Sequence, residues 1–486
     1  MKSLPAGARI HLVGVAGTAM GSLAGLLQSA GYLVTGSDTE IYPPISTLLA
    51  ELKISVREGY QASNLDPAPN LPAPDLVVIG NALSRGNAEV EAVLDRKLPY
   101  ASLPETLREL FLEGRERVVV AGTHGKTTVT SLLSWIFHDA GLHPGFLIGG
   151  VPCNFPQSFA IGSGPHFLLE GDEYDTAFFD KGPKFLHYRP DSVILTSIEF
   201  DHADIYKDLE AVETAFQRLV NLIPRRGCLL AAAESDTVRR CAARALCAVE
   251  TYGFTDGDWQ ARDISSTEQA TSFRVLRRGE SLGAITMQQF GRHNVANALA
   301  AAAMASRYGI GWEAIRHALA SFRGVRRRME VLGEVEGVVV VDDFAHHPTA
   351  IRETLRAARE RFPGRRLWAV LEPRSNTLRR NVFQQELADA LATADRVILA
   401  DVYRPDKIAP AERLNPSKVR DELHRRGTAA EFAVGADQIV ESLSGQWRAG
   451  DVVVVMSNGG FGGLHRKLLD ALGRQSLAKS PSARTA

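Results

Sequence analysis

Cysteine is scarce in this chain of 486 residues: four are present, Cys153, Cys228, Cys241 and Cys247, and no two form a C-x-x-C pair. That scarcity argues against a disulfide framework and suits a reducing compartment, so the four read as core or incidental residues. An excess of charge of either sign is also missing, since 55 Lys and Arg stand against 56 Asp and Glu for a net charge of -1. A chain so balanced does not coat nucleic acid or a membrane surface, and any anionic ligand must be met by a local site. No apolar run approaches the ~20 residues that span a bilayer. The segment from Met1 to Arg9 is too short and too polar to be a signal peptide. A cytoplasmic protein with neither nucleic acid nor membrane as partner is expected. What is present is ordinary for a soluble globular chain, with 45% hydrophobic and 23% charged residues, and the length predicts three domains at about 150 residues each.

The most informative stretch is Val118-Val119-Val120-Ala121-Gly122-Thr123-His124-Gly125-Lys126-Thr127-Thr128. An apolar run stops in a glycine turn and restarts with Val129, Leu132, Leu133 and Ile136 at helical spacing, which reads as strand, tight loop, helix. Glycines let backbone N–H groups converge on an anion, and the helix N-terminus adds about half a positive charge. Lys126 can then reach the outer phosphates of a triphosphate and the Thr127 hydroxyl can ligate Mg²⁺. The loop is shorter than G-x-x-x-x-G-K-[ST], because Val120 stands where the first glycine belongs.

Upstream, Ile10 to Val13 reads as a strand, Gly14 to Gly21 as a turn into a helix, and Tyr32 to Thr35 as a second strand closing on Gly36-Ser37-Asp38. This imitates a dinucleotide fingerprint with an acid about 20 residues on, but Ala16 occupies the second glycine position. On the residues alone a dehydrogenase and a generic mononucleotide-binding βαβ unit stand level. Gly80 to Asn87 follows the strand Leu76 to Ile79, at the end of a strand where open α/β sheets bind ligands, and reads equally as a plain turn.

Downstream, the strand Phe167 to Leu169 runs into Glu170-Gly171-Asp172-Glu173-Tyr174-Asp175, and the strand Val193 to Thr196 leads to Glu199-Phe200-Asp201-His202. A solvated acidic loop is the plainer alternative, yet two acidic strand ends beside a Gly-Lys-Thr loop give the layout of a metal-nucleotide site. No chemistry attaches to residues 227–287. Gly291-Arg292-His293-Asn294-Val295-Ala296-Asn297 opens an alanine-rich helix and by itself reads as a polar cap on a buried helix. Four arginines at 323, 326, 327 and 328 mark a junction. Beyond it, Val338 to Val341 runs into Asp342-Asp343-Phe344-Ala345-His346-His347-Pro348. A zinc site at the two histidines is discounted, since adjacent side chains diverge and no ligand cluster surrounds them in sequence. Strands at 367–371, 396–400 and 452–456 alternate with helices, and the polar exits Glu372 to Thr377 and Ser457 to Gly463 point to a second ligand pocket.

The segment 122–128 resembles the ATP loop of the Mur ligase family, cytoplasmic enzymes that add amino acids or peptides to UDP-N-acetylmuramate. The likeness covers residues 8–472. It implies an α/β fold of three domains: a Rossmann-like UDP-sugar domain at 1–114, a central P-loop ATPase-like domain at 115–324 and a Rossmann-like domain at 325–473 that binds the amine substrate and closes on ATP, followed by a disordered tail at 474–486. By position it places Gly14, Gly17, Met20, Ser37, Asp38, Asn81, Ser84 and Asn87 on the UDP-sugar. Gly122, Thr123, His124, Gly125, Lys126, Thr127 and Thr128 fall on the ATP phosphates, with Thr127, Glu173 and His202 as Mg²⁺ ligands. His293, Asn294 and Asn297 fall on adenine and ribose, Arg327 on a phosphate, and Asp343 and His346 on the ATP ribose and phosphates. The catalytic set is Lys126, Glu173, His202 and Arg327. The carbamylated lysine of many members has no counterpart, as residues 211–224 contain no lysine, so the ligands of a second metal stay unassigned.

Phrases such as Tyr42-Pro43-Pro44, Gly149 to Pro152 and Asp201 to Asp204 are most similar to members that join the murein tripeptide L-alanyl-gamma-D-glutamyl-meso-diaminopimelate to the sugar's lactyl carboxylate. Members that add L-alanine are the alternative. The run Phe178 to His187 is longer than in those, the amine pocket should be larger if a tripeptide must enter, and Arg374 and Asn376 are the expected peptide contacts. The resemblance implies an acyl phosphate intermediate sealed from water by the third domain, in a monomer or weak homo-oligomer. An inactive nucleotide sensor and a dehydrogenase are the competing readings.

Overall fold

The structure is a computed structural model describing residues 4–41 and 45–479; Tyr42-Pro43-Pro44 lies outside the described residues. Among the described residues three large sheets, each flanked by helices, and one two-stranded hairpin make an α/β molecule of three units, as the sequence implies.

In the first unit five parallel strands run in the order Ser55–Glu58, Leu33–Asp38, Arg9–Val13, Leu76–Ile79 and Tyr100–Ser102. The order reverses between Arg9–Val13 and Leu76–Ile79, and the crevice beyond those strand ends is where such sheets take ligands. Gly14 and Gly80 flank it, with Gly80 N–H donating to Val13 O at 3.0 Å.

The central unit is built on Glu116–Ala121, whose Val118, Val119, Val120 and Ala121 are wholly buried. A strand covered on both faces must be apolar at every position, and each such side chain contributes roughly 1.5–3 kcal/mol by leaving water. It pairs in parallel with His166–Gly171 on one side and Ser192–Leu195 on the other. The two acidic strand exits therefore flank the glycine loop. The stretch without assigned chemistry, residues 227–287, extends this sheet through Cys228–Ala232, Ala248–Gly253 and the antiparallel strands Trp259–Ser266, Thr271–Arg277 and Glu280–Met287. Helix Arg292–Arg307 buries every residue from Ala298 to Ala305 and packs on helix Lys126–Asp139. Methyl-sized side chains let it approach closely, which carries Asn297 over the phosphate loop.

The third sheet runs Glu330–Val335, Val338–Asp343, Val452–Met456, Leu367–Leu371, Arg396–Ala400, Ala429–Ala433, parallel but for the first strand. Its last helix, Leu464–Lys479, continues past residue 473, where the sequence reading ends the domain; residues 480–486 lie outside the described residues.

The units touch through specific contacts. A Cβ at Gly25 would lie 2.1 Å from the Phe159 ring, so glycine there lets the central unit seat on the helix Thr18–Ser29 of the first. The hairpin Asp175–Ala177 and Asp180–Pro183 sets Phe178 and Phe179 against the first unit's core, with Phe179 edge-on to Tyr100 at 5.0 Å. The run that is longer than in the L-alanine-adding members thus brackets the first two units. The third unit reaches the central one through Thr377 and Asp201 at 2.6 Å and Asn376 and Asp204 at 2.7 Å, and the first through the ion pair Arg404–Glu40.

Candidate active site

The loop after Glu116–Ala121 turns through Gly122 and Gly125, both at positive φ (133° and 83°). Gly125 caps helix Lys126–Asp139 in the left-handed region, and a Cβ on it would sit 2.6 Å from Asn297 Oδ1. Side-chain bulk is excluded there on both counts. The Lys126 ammonium donates to Gly122 O at 2.6 Å and to both Glu173 oxygens, at 2.7 and 3.1 Å. His202 Nε2 lies 3.2 Å from the same carboxylate, and the Tyr206 hydroxyl donates to Glu173 O at 2.7 Å. Residues 126, 173 and 202, far apart in sequence, therefore meet on one carboxylate that is 2% exposed. An uncompensated buried carboxylate costs several kcal/mol, and Lys126 and His202 supply the compensation.

The electrostatics follow from burial opposed by charge. Burial works to depress the Lys126 ammonium, but Glu173, Asp172 and Glu170 outweigh it and hold it above its ordinary value. Burial likewise opposes charge on His202, and the bond to Glu173 with the Glu173 and Asp201 charges raises it. Asp172 is held well below the carboxylate range, against burial, by Lys184 at 2.6 Å and by Lys126. Glu170 goes the other way: burial lifts it despite the Gly149 N–H at 2.6 Å and the Thr127 hydroxyl at 3.1 Å. Beside the phosphate loop Thr127 thus pairs with Glu170, at 3.1 Å, and His202 with Glu173, at 3.2 Å. A donor set dominated by oxygen suits a hard divalent cation.

Other expected residues are engaged in ways the sequence did not reveal. Asn294 donates to Phe290 O at 2.8 Å and Asn297 to Asn294 Oδ1 at 3.2 Å. His293 Nδ1 is buried with no hydrogen-bond partner, and burial with the nearby Arg328 charge lowers the ring to about 4. Arg327, in the left-handed region at φ 60°, donates to Asp342 at 3.2 Å, Ser457 O at 2.6 Å and Gly459 O at 2.9 Å. Of the two arginines it is the neighbouring Arg328 whose charge bears on Glu170, Asp343 and His293. Asp343 is buried and accepts from Met329 N, Ala345 N and Thr354 Oγ1. His346 and His347 do diverge, donating to Phe344 O at 2.9 Å and Phe200 O at 3.2 Å. The absence of ligands around them is corrected, because His347 Nδ1 lies 3.6 Å from Glu199 Oε2 with His124 beside it.

At the first unit's crevice Gly14 N–H and Val15 N–H donate to Ser37 O, Ala16 N–H donates to Asp38 at 2.9 Å, and Tyr60 donates to Asp38 at 3.1 Å. Gly17 caps helix Thr18–Ser29, and Met20 is buried in the core. The Ser37 hydroxyl is spent on buried Glu89 at 2.6 Å. Asn87 caps helix Ala88–Asp95 through Glu89 N and Val90 N, while Asn81 is half-buried and Ser84 exposed at the rim. In the third unit the Arg374 guanidinium lies over the Tyr403 ring at 3.7 Å and 3.6 Å from Glu372. Asn376 bridges Tyr174, Asp204 and Arg379.

Three family models match in series: "Mur ligase family, catalytic domain" at 9–115, "Mur ligase middle domain" at 120–305 and "Mur ligase, glutamate ligase domain" at 327–459. The chain is 43% identical to the UDP-N-acetylmuramate–L-alanyl-gamma-D-glutamyl-meso-2,6-diaminoheptandioate ligase of Escherichia coli K12, over 97% of this chain and 99% of that one. It is 35% identical to a UDP-N-acetylmuramate–L-alanine ligase of Salinibacter ruber, over 93% and 92%. Among solved structures, a murein peptide ligase from Psychrobacter arcticus superposes with a TM-score of 0.74 at 39% identity, covering 96% of this chain and 99% of that one. Sequence, fold and the meeting of Lys126, Glu173 and His202 agree: the chain belongs to the Mur ligase family.

Proposed function

We propose that this protein is the ATP-dependent ligase that joins L-alanyl-gamma-D-glutamyl-meso-diaminopimelate to the lactyl carboxylate of UDP-N-acetylmuramate, a reaction that returns recovered peptide to peptidoglycan synthesis. The observation that carries the chemistry is the Lys126–Glu173–His202 cluster at the mouth of the phosphate loop, with ion-pair contacts of 2.7 and 3.2 Å. The higher identity to the tripeptide-adding relative supports that substrate over L-alanine.

The sugar's carboxylate and the γ-phosphate of ATP repel each other, so the site must cancel charge before they react. Glu173, Thr127 and His202 would hold Mg²⁺, which when bound neutralises phosphate charge. Glu173 ligating the ion would free Lys126 to turn from the carboxylate to the outer phosphates. Arg328, whose charge already bears on Glu170 and Asp343, is assigned to the phosphates in place of Arg327, which ties the strand exit Ser457–Gly459 to the junction. The lactyl carboxylate, presented from the first unit, attacks the γ-phosphorus and expels ADP. The peptide's α-amine then adds to the acyl phosphate carbonyl, and phosphate leaves from the tetrahedral adduct. Water would hydrolyse the acyl phosphate, so the contacts of Thr377 and Asn376 with Asp201 and Asp204 serve to keep the third unit shut during chemistry.

The test offers purified protein ATP, Mg²⁺ and UDP-N-acetylmuramate with either L-alanine or the tripeptide and follows phosphate release. Consumption of the tripeptide is expected; release supported by L-alanine alone would assign the protein to the other branch.

A further inference from the structure

His124 in the phosphate loop, Glu199 beyond the strand Ser192–Leu195 and His347 at the start of helix Pro348–Arg361 come from three distant segments and two units, yet their ligand atoms all lie within 4.8 Å of one another. His124 Nε2 is 3.3 Å from Glu199 Oε2, and His347 Nδ1 is 3.6 Å from the same oxygen. The two imidazole rings are 4.8 Å apart and tilted by 53°. Ligands at ~2.0–2.2 Å on a tetrahedral ion are separated by about 3.3 Å, so these gaps close with small rotamer shifts. His124 Nε2 is a buried ring nitrogen with no hydrogen-bond partner. On His347 the Nε2–H donates to Phe200 O at 3.2 Å, so Nδ1 carries the lone pair, which accepts from Thr349 N–H at 3.3 Å and lies 3.6 Å from Glu199 Oε2. A ring N–H held by a backbone carbonyl is how proteins fix a metal-binding histidine's tautomer and aim.

We propose that His124, Glu199 and His347 form a divalent transition-metal site of the zinc class, distinct from the Mg²⁺-type cluster at Glu173, that clasps the phosphate loop to the third unit. Two imidazoles and one carboxylate are a borderline-soft donor set that favours Zn²⁺ over Mg²⁺, with a fourth position left for water. Occupancy costs the His347 Nδ1 cap on Thr349 N–H, at 3.3 Å the weaker of that ring's two contacts. Since Glu199 and His124 belong to the central unit and His347 to the third, a bound ion would slow the opening that product release needs. Zn²⁺ would then inhibit without competing with Mg²⁺. Binding of the ion is independent of the ligase reading, which stands or falls on other residues; the inhibition rests on that reading.

The test titrates full-length protein with Zn²⁺ by calorimetry and with Co²⁺ by visible absorption, comparing wild type with His347→Asn, Glu199→Gln and His202→Ala. His347→Asn keeps a side-chain acceptor at the helix cap, and Glu199→Gln is the second variant should the first not fold. Wild type and His202→Ala are expected to take up Zn²⁺ with similar affinity, to give the intense spectrum of four-coordinate Co²⁺ and to gain thermal stability. His347→Asn and Glu199→Gln should bind at least about tenfold more weakly and lose that spectrum. Unchanged Zn²⁺ affinity in both site variants, or loss of binding in His202→Ala alone, would overturn the assignment.

Discussion

Glu173→Gln removes the charge on which Lys126 and His202 converge while keeping the shape of the side chain. Glu173 is almost fully buried, with Lys126 at 2.7 Å and His202 at 3.2 Å. Deleting one partner of a buried pair costs about 3–5 kcal/mol, because the other charge stays behind without compensation. Here Gly122 O at 2.6 Å and the charges of Asp172 and Glu170 still serve Lys126, which places the expected loss near the lower end, at about 3 kcal/mol. For a domain the size of the central unit that lowers its melting temperature by roughly 6–12 °C. The catalytic cost has a different origin. Losing an anionic metal ligand and the preorganised charge around it should reduce kcat by about 10²–10³, or roughly 2.7–4 kcal/mol of barrier. The assay is phosphate release titrated with Mg²⁺, beside a thermal melt of the same samples. Excess Mg²⁺ should recover part of the rate, since Thr127 and His202 remain. A variant with wild-type kcat and an unshifted Mg²⁺ midpoint would refute the assignment of Glu173 to the ion, whatever its melting temperature.

Two further outcomes discriminate between neighbours or between protonation states. Arg328→Ala should cut kcat by about 10³ with a near-normal melt, whereas Arg327→Ala, which loses its contacts to Asp342, Ser457 O and Gly459 O, should melt earlier and lose less activity; the reverse ranking would return the phosphate role to Arg327. His293 is depressed to about 4 in the folded protein against about 6.5 when unfolded. The unfolded chain therefore takes up a proton first as pH falls, and His293 costs stability between about pH 6.5 and 4, by no more than about 3 kcal/mol. Denaturant melts of His293→Gln should lose less stability across that window than wild type; parallel curves would show that the ring titrates normally.

The Lys126–Glu173–His202 cluster was legible because its chemistry sits at strand exits, and a parallel sheet brings the exits of neighbouring strands to one edge. Which of the two adjacent arginines ties into the strand exit Ser457–Gly459 was not, because it depends on the left-handed backbone at Arg327, which no local pattern announces. Position by resemblance likewise placed Ser37 and Asn87 on the sugar nucleotide without showing that the Ser37 hydroxyl is held by Glu89 and that Asn87 caps a helix. The Phe178–His187 run was visibly extra sequence, but its docking on Tyr100 and the first unit's core is a tertiary contact between units. The His124–Glu199–His347 cluster escaped notice for the same reason: its members are spread over more than 200 positions and meet only when the third unit lies against the second.

The central claim is that ATP activates the sugar's own carboxylate at this cluster. UDP-N-acetylmuramate carrying ¹⁸O in its lactyl carboxylate, turned over with ATP and the tripeptide, should transfer one labelled oxygen to each phosphate released, as an acyl phosphate requires. Phosphate free of label, with amide product formed, would contradict it.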